Sequence, residues 1–397
     1  MAISVGFAQT PLGVLRSATQ NPDPSCFAQT DRSPSAEITA FGDRVISLEV
    51  PAAKTKLVAE HRINKAAKAD LAPTVAAVEF DIYCGAATMF HLMIALVREK
   101  FVPAALLALA AQLAWGQQMA ITFDDLPAHG PKPAAMTRLE IAQSILATLR
   151  REQLPPTYGF INGIRVEEDP SSLAVLEAWR AAGQPLGNHT WAHQDIKDET
   201  AQQFEADAAK NEPLLKQLMG GEDWHWFRYP YLREGDTEEK RRAVRSWLFA
   251  HGYKIAEVNM DFEDYLWNAP YARCVAQHDD ASIQRLHDSY LAVADQYYTL
   301  FRQLSQLVYA RDVKYVLLMH IGAFDARMLP ELLALYRRKG VSFISLAEAI
   351  SDPAYRDDPL IGDATGGAHL ELMMRSKKLA FPANTKPYKE LDAMCRS

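Results

Sequence analysis

Short runs of β-branched and aromatic residues alternate with longer helix-like stretches from Met119 to about residue 346. This alternation predicts a βα-repeat fold built on a parallel sheet. We expect seven strands, at MAITF (119–123), TYGFI (157–161), PLGNH (185–189), WHWFRY (224–229), YKIAEVNM (253–260), KYVLLMH (314–320) and VSFISL (341–346). The predicted fold class is therefore α/β, with the strands in a closed or partly closed barrel.

Apolar residues recur at helical spacing between these strands, at 139–149, 173–179, 204–218 and 282–311. Each stretch predicts an amphipathic helix that packs on the sheet. Pro213 is expected to kink or restart the third helix, because proline lacks the backbone N–H that a helix interior needs. Beyond Asp352 the pattern gives way to turns and charged residues, so residues 352–397 are predicted to form a peripheral tail.

The segment from Met89 to Gln118 has the layout of a secretory signal peptide. Arg98 and Lys100 precede an apolar run from Phe101 to Trp115, which ends in small residues. The run is shorter than the roughly 20 apolar residues that a membrane-spanning helix needs. A buried helix of the folded domain is the alternative. We expect a secreted or periplasmic protein, or a cytoplasmic one if this segment is not recognised.

A long segment precedes this candidate signal peptide, although a signal peptide belongs at an N-terminus. Residues 1–88 are rich in Ala, Ser, Thr, Pro and charged residues and show little periodicity. We expect them to be a disordered or non-native extension, with the true start at Met89 or Met93.

The composition narrows the choice of partners. The net charge of -7 comes without a long basic run, so the chain lacks the electrostatic footprint of a nucleic-acid-binding protein. A neutral or cationic substrate fits this charge better. The cysteines, at positions 26, 84, 274 and 395, form no Cys-x-x-Cys pair that would indicate a structural zinc or redox site. Disulfide pairing and oligomeric state stay open.

Polar residues follow five of the predicted strands. The first strand ends in Asp124 and Asp125, the third in His189, the fourth in the stretch 228–231, the fifth in Asp261 and Asp264, and the sixth in His320. In a βα barrel the reactive groups sit at the C-terminal ends of the strands. Taken singly, each residue has an ordinary explanation as a helix cap, a surface residue or a core histidine. Their common position predicts a single site.

The same residues form five short motifs in a fixed order. They are TFDD (122–125), HTWAH (189–193), RYPY (228–231), DFEDY (261–265) and LMH (318–320). Together they resemble the motifs of the NodB-homology polysaccharide deacetylases, carbohydrate esterase family four, over residues 119–346. The resemblance implies a distorted seven-stranded (β/α) barrel at 119–351. It also implies hydrolytic deacetylation of a glycan that contains N-acetylglucosamine, such as a chitin oligomer or peptidoglycan.

A three-residue metal site is predicted from the ligand chemistry. Two histidines at i and i+4 on a helical turn present both imidazoles on one face, and a carboxylate from another strand end completes the set. Asp125, His189 and His193 fit, and the resemblance assigns them the same role. This ligand set also suits non-haem iron oxygenases, but a second carboxylate, Asp124, stands beside the ligand and favours hydrolysis. We expect one divalent ion, zinc first, with cobalt, manganese or nickel as alternatives.

The resemblance implies a role for each of four further residues. Asp124 would be the catalytic base and His320 the general acid that protonates the leaving amine. Arg228 would pair with Asp124 and keep it ionised, while Asp264 would hold His320 charged and oriented.

The acetyl pocket is expected to depart from the family pattern. The backbone N–H of Tyr231 would stabilise the oxyanion, and Leu318 would line the pocket for the acetyl methyl group. Tyr265 stands where the family commonly has Trp, and Trp267 follows two positions later as a candidate wall residue. His129, in the loop LPAHG, is expected to be an exposed loop histidine, with a position that faces the substrate as the alternative.

Two rival functions stay open at this point. One is a hydrolase of the same fold that acts on a non-glycan amide or on O-acetyl xylan. The other is a catalytically silent glycan-binding module, against which the complete set of motif residues weighs. In each case we expect no nucleic-acid partner and no stable membrane span.

Overall fold

The structure is a computed structural model that describes residues 116–362, 365–383 and 387–396. The predicted extension at 1–88, and all but the last residues of the predicted signal peptide at 89–118, lie outside the described residues. Among the helices that the structure describes, none combines the length and the apolar character needed to cross a membrane.

The seven predicted strands are all present. They are β1 (Gln118–Leu126), β2 (Gly159–Ile161), β3 (Leu186–Asn188), β4 (Trp226–Phe227), β5 (Lys254–Ile255), β6 (Tyr315–His320) and β7 (Ser342–Phe343). They form one sheet in the order β5-β4-β3-β2-β1-β6, with β7 paired to the start of β1. Every pairing is parallel, so all strands end at the same rim.

The two edges of this sheet meet beyond the end of β5. Met260 forms an isolated parallel bridge with Leu317 of β6. The N–H of Met260 donates to the carbonyl of Val316 at 3.1 Å, and the N–H of Leu318 donates to the carbonyl of Met260 at 3.0 Å. The predicted distorted α/β barrel is confirmed, although β5 itself is much shorter than the stretch 253–260 that the sequence suggested.

Helices cover the outside of the sheet. They are α1 (Arg138–Arg151), α2 (Ile164–Glu168), α3 (Leu173–Ala181), α4 (Ala201–Lys210), α5 (Glu212–Met219), α6 (Glu238–Ala250), α7 (Asn268–Ala276), α8 (Asp280–Tyr309), α9 (Ala323–Arg338), α10 (Leu346–Ile350), α11 (His369–Ser376) and α12 (Tyr388–Ala393). The long helix predicted at 282–311 is confirmed as α8, whose apolar face, including Leu286, Tyr290 and Phe301, is fully buried.

Pro213 restarts the third predicted helix, as expected. Helix α4 ends at Lys210, and α5 begins at Glu212 with Pro213 in its first turn. Proline is tolerated there because the N–H that it lacks would have no partner inside the helix. The break leaves Asn211 between the two helices, where its side chain turns into the barrel and hydrogen-bonds the carbonyl of Ile161.

The prediction of a peripheral C-terminal tail is wrong. Helix α11 buries Leu370 and Met374 completely and packs against α8. A disulfide between Cys274 and Cys395 ties the end of the chain to α7. The apolar run LELMM within α11 carries this burial, and its surroundings of Gly and charged residues concealed it in the sequence.

Candidate active site

Two adjacent carboxylates lie near the C-terminal end of β1 and face the same cavity. Successive side chains of a strand normally point to opposite faces of the sheet. Asp125 has a φ of 63°, and this left-handed conformation ends the alternation, so that both Asp124 and Asp125 line the cavity. Asp124 lies beside His320 in the register between β1 and β6. The common rim predicted from the sequence is therefore present.

The two motif histidines lie in an irregular loop after β3. They are not on a helical turn, so that part of the prediction is wrong. Thr190 and His193 have φ values of 61° and 55°, which turn the backbone so that the rings of His189 and His193 come within 4.8 Å of each other. The spacing of four residues does bring the imidazoles together, but through two left-handed residues.

Buried asparagines hold this loop in place. The side-chain amide of Asn162 donates to the carbonyls of His189 at 2.6 Å and Thr190 at 3.1 Å. Asn188 accepts from the N–H of Thr190 at 2.9 Å, and Asn211 donates to Asn188 at 3.0 Å. All three asparagines are nearly inaccessible to solvent. These amides bond the backbone of the loop directly and support its left-handed residues.

Asp125, His189 and His193 have the geometry of a metal site. Oδ1 of Asp125 lies 3.5 Å from Nε2 of His189 and 3.3 Å from Nε2 of His193. That oxygen is buried and has no hydrogen-bond partner within the described part of the chain. A buried carboxylate oxygen without a donor fits the role of a cation ligand. The three ligand atoms lie within 4.8 Å of one another, close enough to bind one ion.

The protonation states of these ligands also suit a cation. Burial alone would raise the pKa of Asp125, but its contacts, of which the hydrogen bond from His129 has the largest effect, hold it well below its usual value. Burial is the main cause that lowers the pKa of His193 to about 4. Nδ1 of His189 donates to the carbonyl of Arg228 at 2.8 Å, which leaves Nε2 facing Asp125. An anionic carboxylate and neutral imidazoles are the forms that bind divalent metals.

Arg228 pairs with Asp124, as predicted. Its Nη1 lies 3.0 Å from Oδ1 and 3.2 Å from Oδ2 of the carboxylate. The guanidinium also donates to the carbonyl of Ala256 at 2.6 Å and to the hydroxyl of Thr122 at 3.1 Å. Only 1% of Arg228 and 2% of Asp124 is exposed, so water screens their attraction very little.

Asp264 holds His320 from two directions. One carboxylate oxygen lies 2.7 Å from Nδ1 of the ring and the other accepts from the backbone N–H of His320 at 2.7 Å. Burial by itself would lower the pKa of His320, but the charge and hydrogen bond of Asp264 raise it to about 10. The imidazole is therefore protonated at neutral pH, as a general acid requires.

A second buried carboxyl, not found from the sequence, supports Asp264. Asp325 accepts from Tyr290 Oη at 3.1 Å and from Asn268 Nδ2 at 2.7 Å. Burial and the charge of Asp264 raise the pKa of Asp325 well above its usual value, and the two carboxyls share a hydrogen bond. A Cβ at Gly322 would clash with the side chains of Asp325 and Asn268. Glycine at position 322 therefore leaves room for the side chains of Asp325 and Asn268.

The cavity in front of these groups has a volume of about 460 Å³. Leu318, Tyr265 and Tyr231 line it, in agreement with their predicted positions. The ring of Tyr231 lies 4.6 Å from that of His193 and is 53% exposed. Trp267 is not a wall residue, so that prediction is wrong: it is fully buried and donates to Ser289 at 2.9 Å.

The C-terminal segment forms part of the cavity wall. Residues Thr365, Gly366, Gly367, Glu371 and Arg375 line the cavity together with the motif residues. Because these residues lie far along the chain from the motifs, no sequence pattern indicated that they belong to the site. Their charged side chains place a polar wall beside the cavity, which suits a hydroxyl-rich ligand.

His129 is a further lining residue, and it is not the freely exposed loop residue that the sequence suggested. Its Nδ1 lies 2.5 Å from Oδ2 of Asp125. The His129 ring centroid lies 4.6 Å from that of His320 and 5.7 Å from that of Tyr265. The loop that follows the carboxylate pair carried no sequence signal for these contacts.

Comparison with known proteins supports the class predicted from the sequence. The family match supports a hydrolase that acts on amide bonds of polysaccharides. Residues 115–249, about a third of the chain, match the family model described as polysaccharide deacetylase. This match confirms the predicted resemblance to the polysaccharide deacetylases over that part of the chain. The match includes Asp124, Asp125, the two histidines and Arg228, and ends before Asp264 and His320.

Solved structures with a similar fold share little sequence with this chain. The chitin deacetylase of the fungal pathogen Colletotrichum lindemuthianum is 22% identical, with 60% of this chain and 88% of that chain covered and a TM-score of 0.41. The polysaccharide deacetylase Bc1974 from Bacillus cereus is 19% identical, with 58% and 91% covered and a TM-score of 0.40. A CE4 family pseudoenzyme from Bacillus anthracis is 14% identical, with 60% and 66% covered and a TM-score of 0.41. The search of curated proteins gives no match.

Proposed function

We propose that this protein removes acetyl groups from an acetylated glycan in a metal-dependent reaction, with N-acetyl groups favoured over O-acetyl groups. The observation that carries the proposal is the arrangement around one cavity. Two buried ion pairs, Asp124 with Arg228 and His320 with Asp264, lie beside the three candidate metal ligands. A proton acceptor and a proton donor flanking a cation site are the groups that hydrolysis of an amide needs.

The reaction divides among the residues as follows. A divalent ion at Asp125, His189 and His193 would supply Lewis acidity, which polarises the acetyl carbonyl and acidifies water. Asp124 accepts the proton of the attacking water, and Arg228 orients this carboxylate. The backbone N–H of Tyr231 stabilises the oxyanion. His320 donates a proton to the nitrogen as the C–N bond breaks, which releases acetate and a free amine.

Acetate release from a small panel of substrates tests this proposal. The protein is stripped with a chelator and reloaded with Zn²⁺, Co²⁺, Mn²⁺ or Ni²⁺, then offered chito-oligosaccharides, acetylated xylan and small acetamides. We expect turnover of an N-acetylated glycan that disappears on chelation and returns with metal. Faster turnover of acetylated xylan would indicate an O-acetyl substrate, and faster turnover of the acetamides would indicate a non-glycan amide.

The same panel separates an enzyme from a binding module. Glycan binding measured by calorimetry without turnover in any metal would contradict the hydrolytic proposal. The Asp124→Asn variant serves as the matched control, because it keeps the three ligands and lacks the proposed base. An active wild type beside an inactive Asp124→Asn variant excludes a contaminating esterase.

We further propose that the protein is exported and processed near the end of the segment 89–118. The support is the charged-then-apolar layout of that segment, together with the disulfide between Cys274 and Cys395, since disulfides persist mainly in oxidising compartments. Expression from Met89 in a secreting host is expected to give a mature N-terminus between about Trp115 and Met119. N-terminal sequencing of exported, active protein that still begins at residue 1 would contradict both cleavage and the start at Met89.

A further inference from the structure

We propose that His129 is a positioning residue for the metal-ligating carboxylate: it fixes Oδ2 of Asp125 so that Oδ1 faces His189 and His193. This inference rests on the proposed metal-dependent function. The two oxygens of Asp125 have separate surroundings. Oδ2 lies 2.5 Å from Nδ1 of His129, whereas Oδ1 is the buried oxygen that faces the two ligand histidines.

The loop that carries His129 is built to hold the ring in that place. The guanidinium of Arg138 in α1 donates to the carbonyl of His129 at 2.8 Å and to that of Gly130 at 2.7 Å. At the other end of the loop, the N–H of Ala128 donates to the carbonyl of Asp125 at 2.9 Å. Gly130 has a φ of 59°, a conformation that glycine adopts at little cost. The ring is thus anchored on both sides of its own residue.

The direction of the hydrogen bond follows from the chemistry of its partners. A metal-ligating carboxylate is ionised and can only accept hydrogen bonds. Nδ1 of His129 must therefore carry the proton and donate it to Oδ2. The Nδ1 lone pair is then absent, so this nitrogen does not ligate the ion. Carboxylate ligands are commonly hydrogen-bonded in this way, and loss of such a partner typically weakens metal binding by about 10- to 100-fold.

His129 also links the metal side of the site to the acid side. The three side chains of Asp125, His129 and His320 offer ligand atoms within 4.8 Å of one another. If His129 were itself a ligand, these three residues would hold a second ion. The two roles differ in stoichiometry, because positioning leaves one ion per chain and direct ligation at this group gives two.

Zinc affinity measured by chelator competition tests the inference without reference to turnover. Asn can place its amide N–H where Nδ1 of His129 donates, while Ala cannot. We expect His129→Ala to weaken Zn²⁺ binding about 10- to 100-fold, and His129→Asn to stay within about threefold of the wild type. His251→Ala is the matched control, since His251 is an exposed histidine that bonds only its own helix, and it should leave the affinity unchanged.

A second variant guards against misfolding of the first. Arg138→Met removes the anchor of the loop but leaves the imidazole, so it should weaken zinc binding in the same direction and by less than His129→Ala. Replacement of Zn²⁺ by Co²⁺ adds a spectroscopic readout. With His129 outside the coordination sphere, His129→Ala should keep the wild-type cobalt absorption bands at saturating metal.

The outcomes separate this inference from the proposed function. A wild type that binds no zinc would overturn both. A wild type that binds one ion while His129→Ala binds it equally well would overturn only the positioning role. Two ions per wild-type chain, or cobalt bands that change in His129→Ala, would replace positioning by direct ligation. If His129→Ala and His129→Asn weakened zinc binding equally, the hydrogen bond from Nδ1 would not be the cause of the loss.

Discussion

Nη1 of Arg228 lies within 3.2 Å of both carboxylate oxygens of Asp124, and neither residue is more than 2% exposed. Removal of one partner from such a buried pair leaves an uncompensated charge, which costs about 3–5 kcal/mol. We expect Arg228→Met to lower the free energy of unfolding by that amount in urea titrations. The double variant Asp124→Asn/Arg228→Met should recover part of the loss, because no unpaired charge stays buried. A cost for Arg228→Met below about 1 kcal/mol would contradict this account.

Loss of either ligand histidine should release the metal. His189→Ala and His193→Ala each remove one of three protein ligands, and we expect a loss of zinc affinity beyond the about 10- to 100-fold typical of an outer-shell change. Metal analysis of the purified variants measures it. Asp124→Asn is the control that should keep its ion while kcat falls by about 10²- to 10⁴-fold. Full occupancy in both histidine variants would rule out the assigned site.

Asp264 should set the alkaline limit of activity. His320 donates a proton, so its function is present below its pKa and is lost as the pH rises through it. Asp264 raises that pKa to about 10. Asp264→Asn removes the charge, and the pKa of His320 should fall toward or below the ordinary value of about 6.5. We expect the basic limb of the kcat–pH profile to move down by several pH units, and an unmoved limb would exclude Asp264 as its cause.

His320 should matter most for poor leaving groups. An amine cannot depart without a proton, whereas the phenolate of an activated aryl ester can. We expect His320→Ala to lower kcat on an N-acetyl glycan by about 10²- to 10⁴-fold and to lower hydrolysis of an aryl acetate far less. Parallel kinetics on the two substrates measure the ratio. Equal losses on both would show that His320 does not act as the acid.

The disulfide between Cys274 and Cys395 should add to stability. The two cysteines are 121 residues apart in the sequence. Loss of a native disulfide typically lowers the free energy of unfolding by about 2–5 kcal/mol. We expect Cys395→Ser to lower the free energy of unfolding by that amount. The metal content should be unchanged, because neither cysteine lies near the ligands. A wild type whose stability is insensitive to reductant would indicate that the bond is not formed in the isolated protein.

The strands and the motif residues could be predicted because each produces a local pattern. Seven apolar runs mark seven strands, and parallel strands place their C-terminal residues at one rim. The support of Asp264 by Asp325 could not be predicted in this way. Those two carboxyls are far apart in sequence, and an isolated Asp in the first turn of a helix such as α9 is usually a capping residue.

Errors in the predicted site have similar physical causes. Trp267 was expected at the cavity because it lies near Asp264 in sequence, but the turn after Asp264 rotates its ring into the core against Phe262 and Tyr290. The conformation of His193 was missed because left-handed backbone in a non-glycine residue has no reliable sequence signal. In both cases the position along the chain could be predicted, but the local conformation that sets the direction of the side chain could not.

The asparagines around His189 have a consequence for how the protein handles metals. In small zinc domains the coordination bonds themselves fold the chain, so an ion cannot leave without unfolding it. Here Asn162, Asn188 and Asn211 bond the backbone of the ligand loop. We therefore expect the ligand site to be preformed, so that ions exchange while the barrel stays folded. Which ion occupies it in the cell would then depend on the metal supply as well as on the ligands.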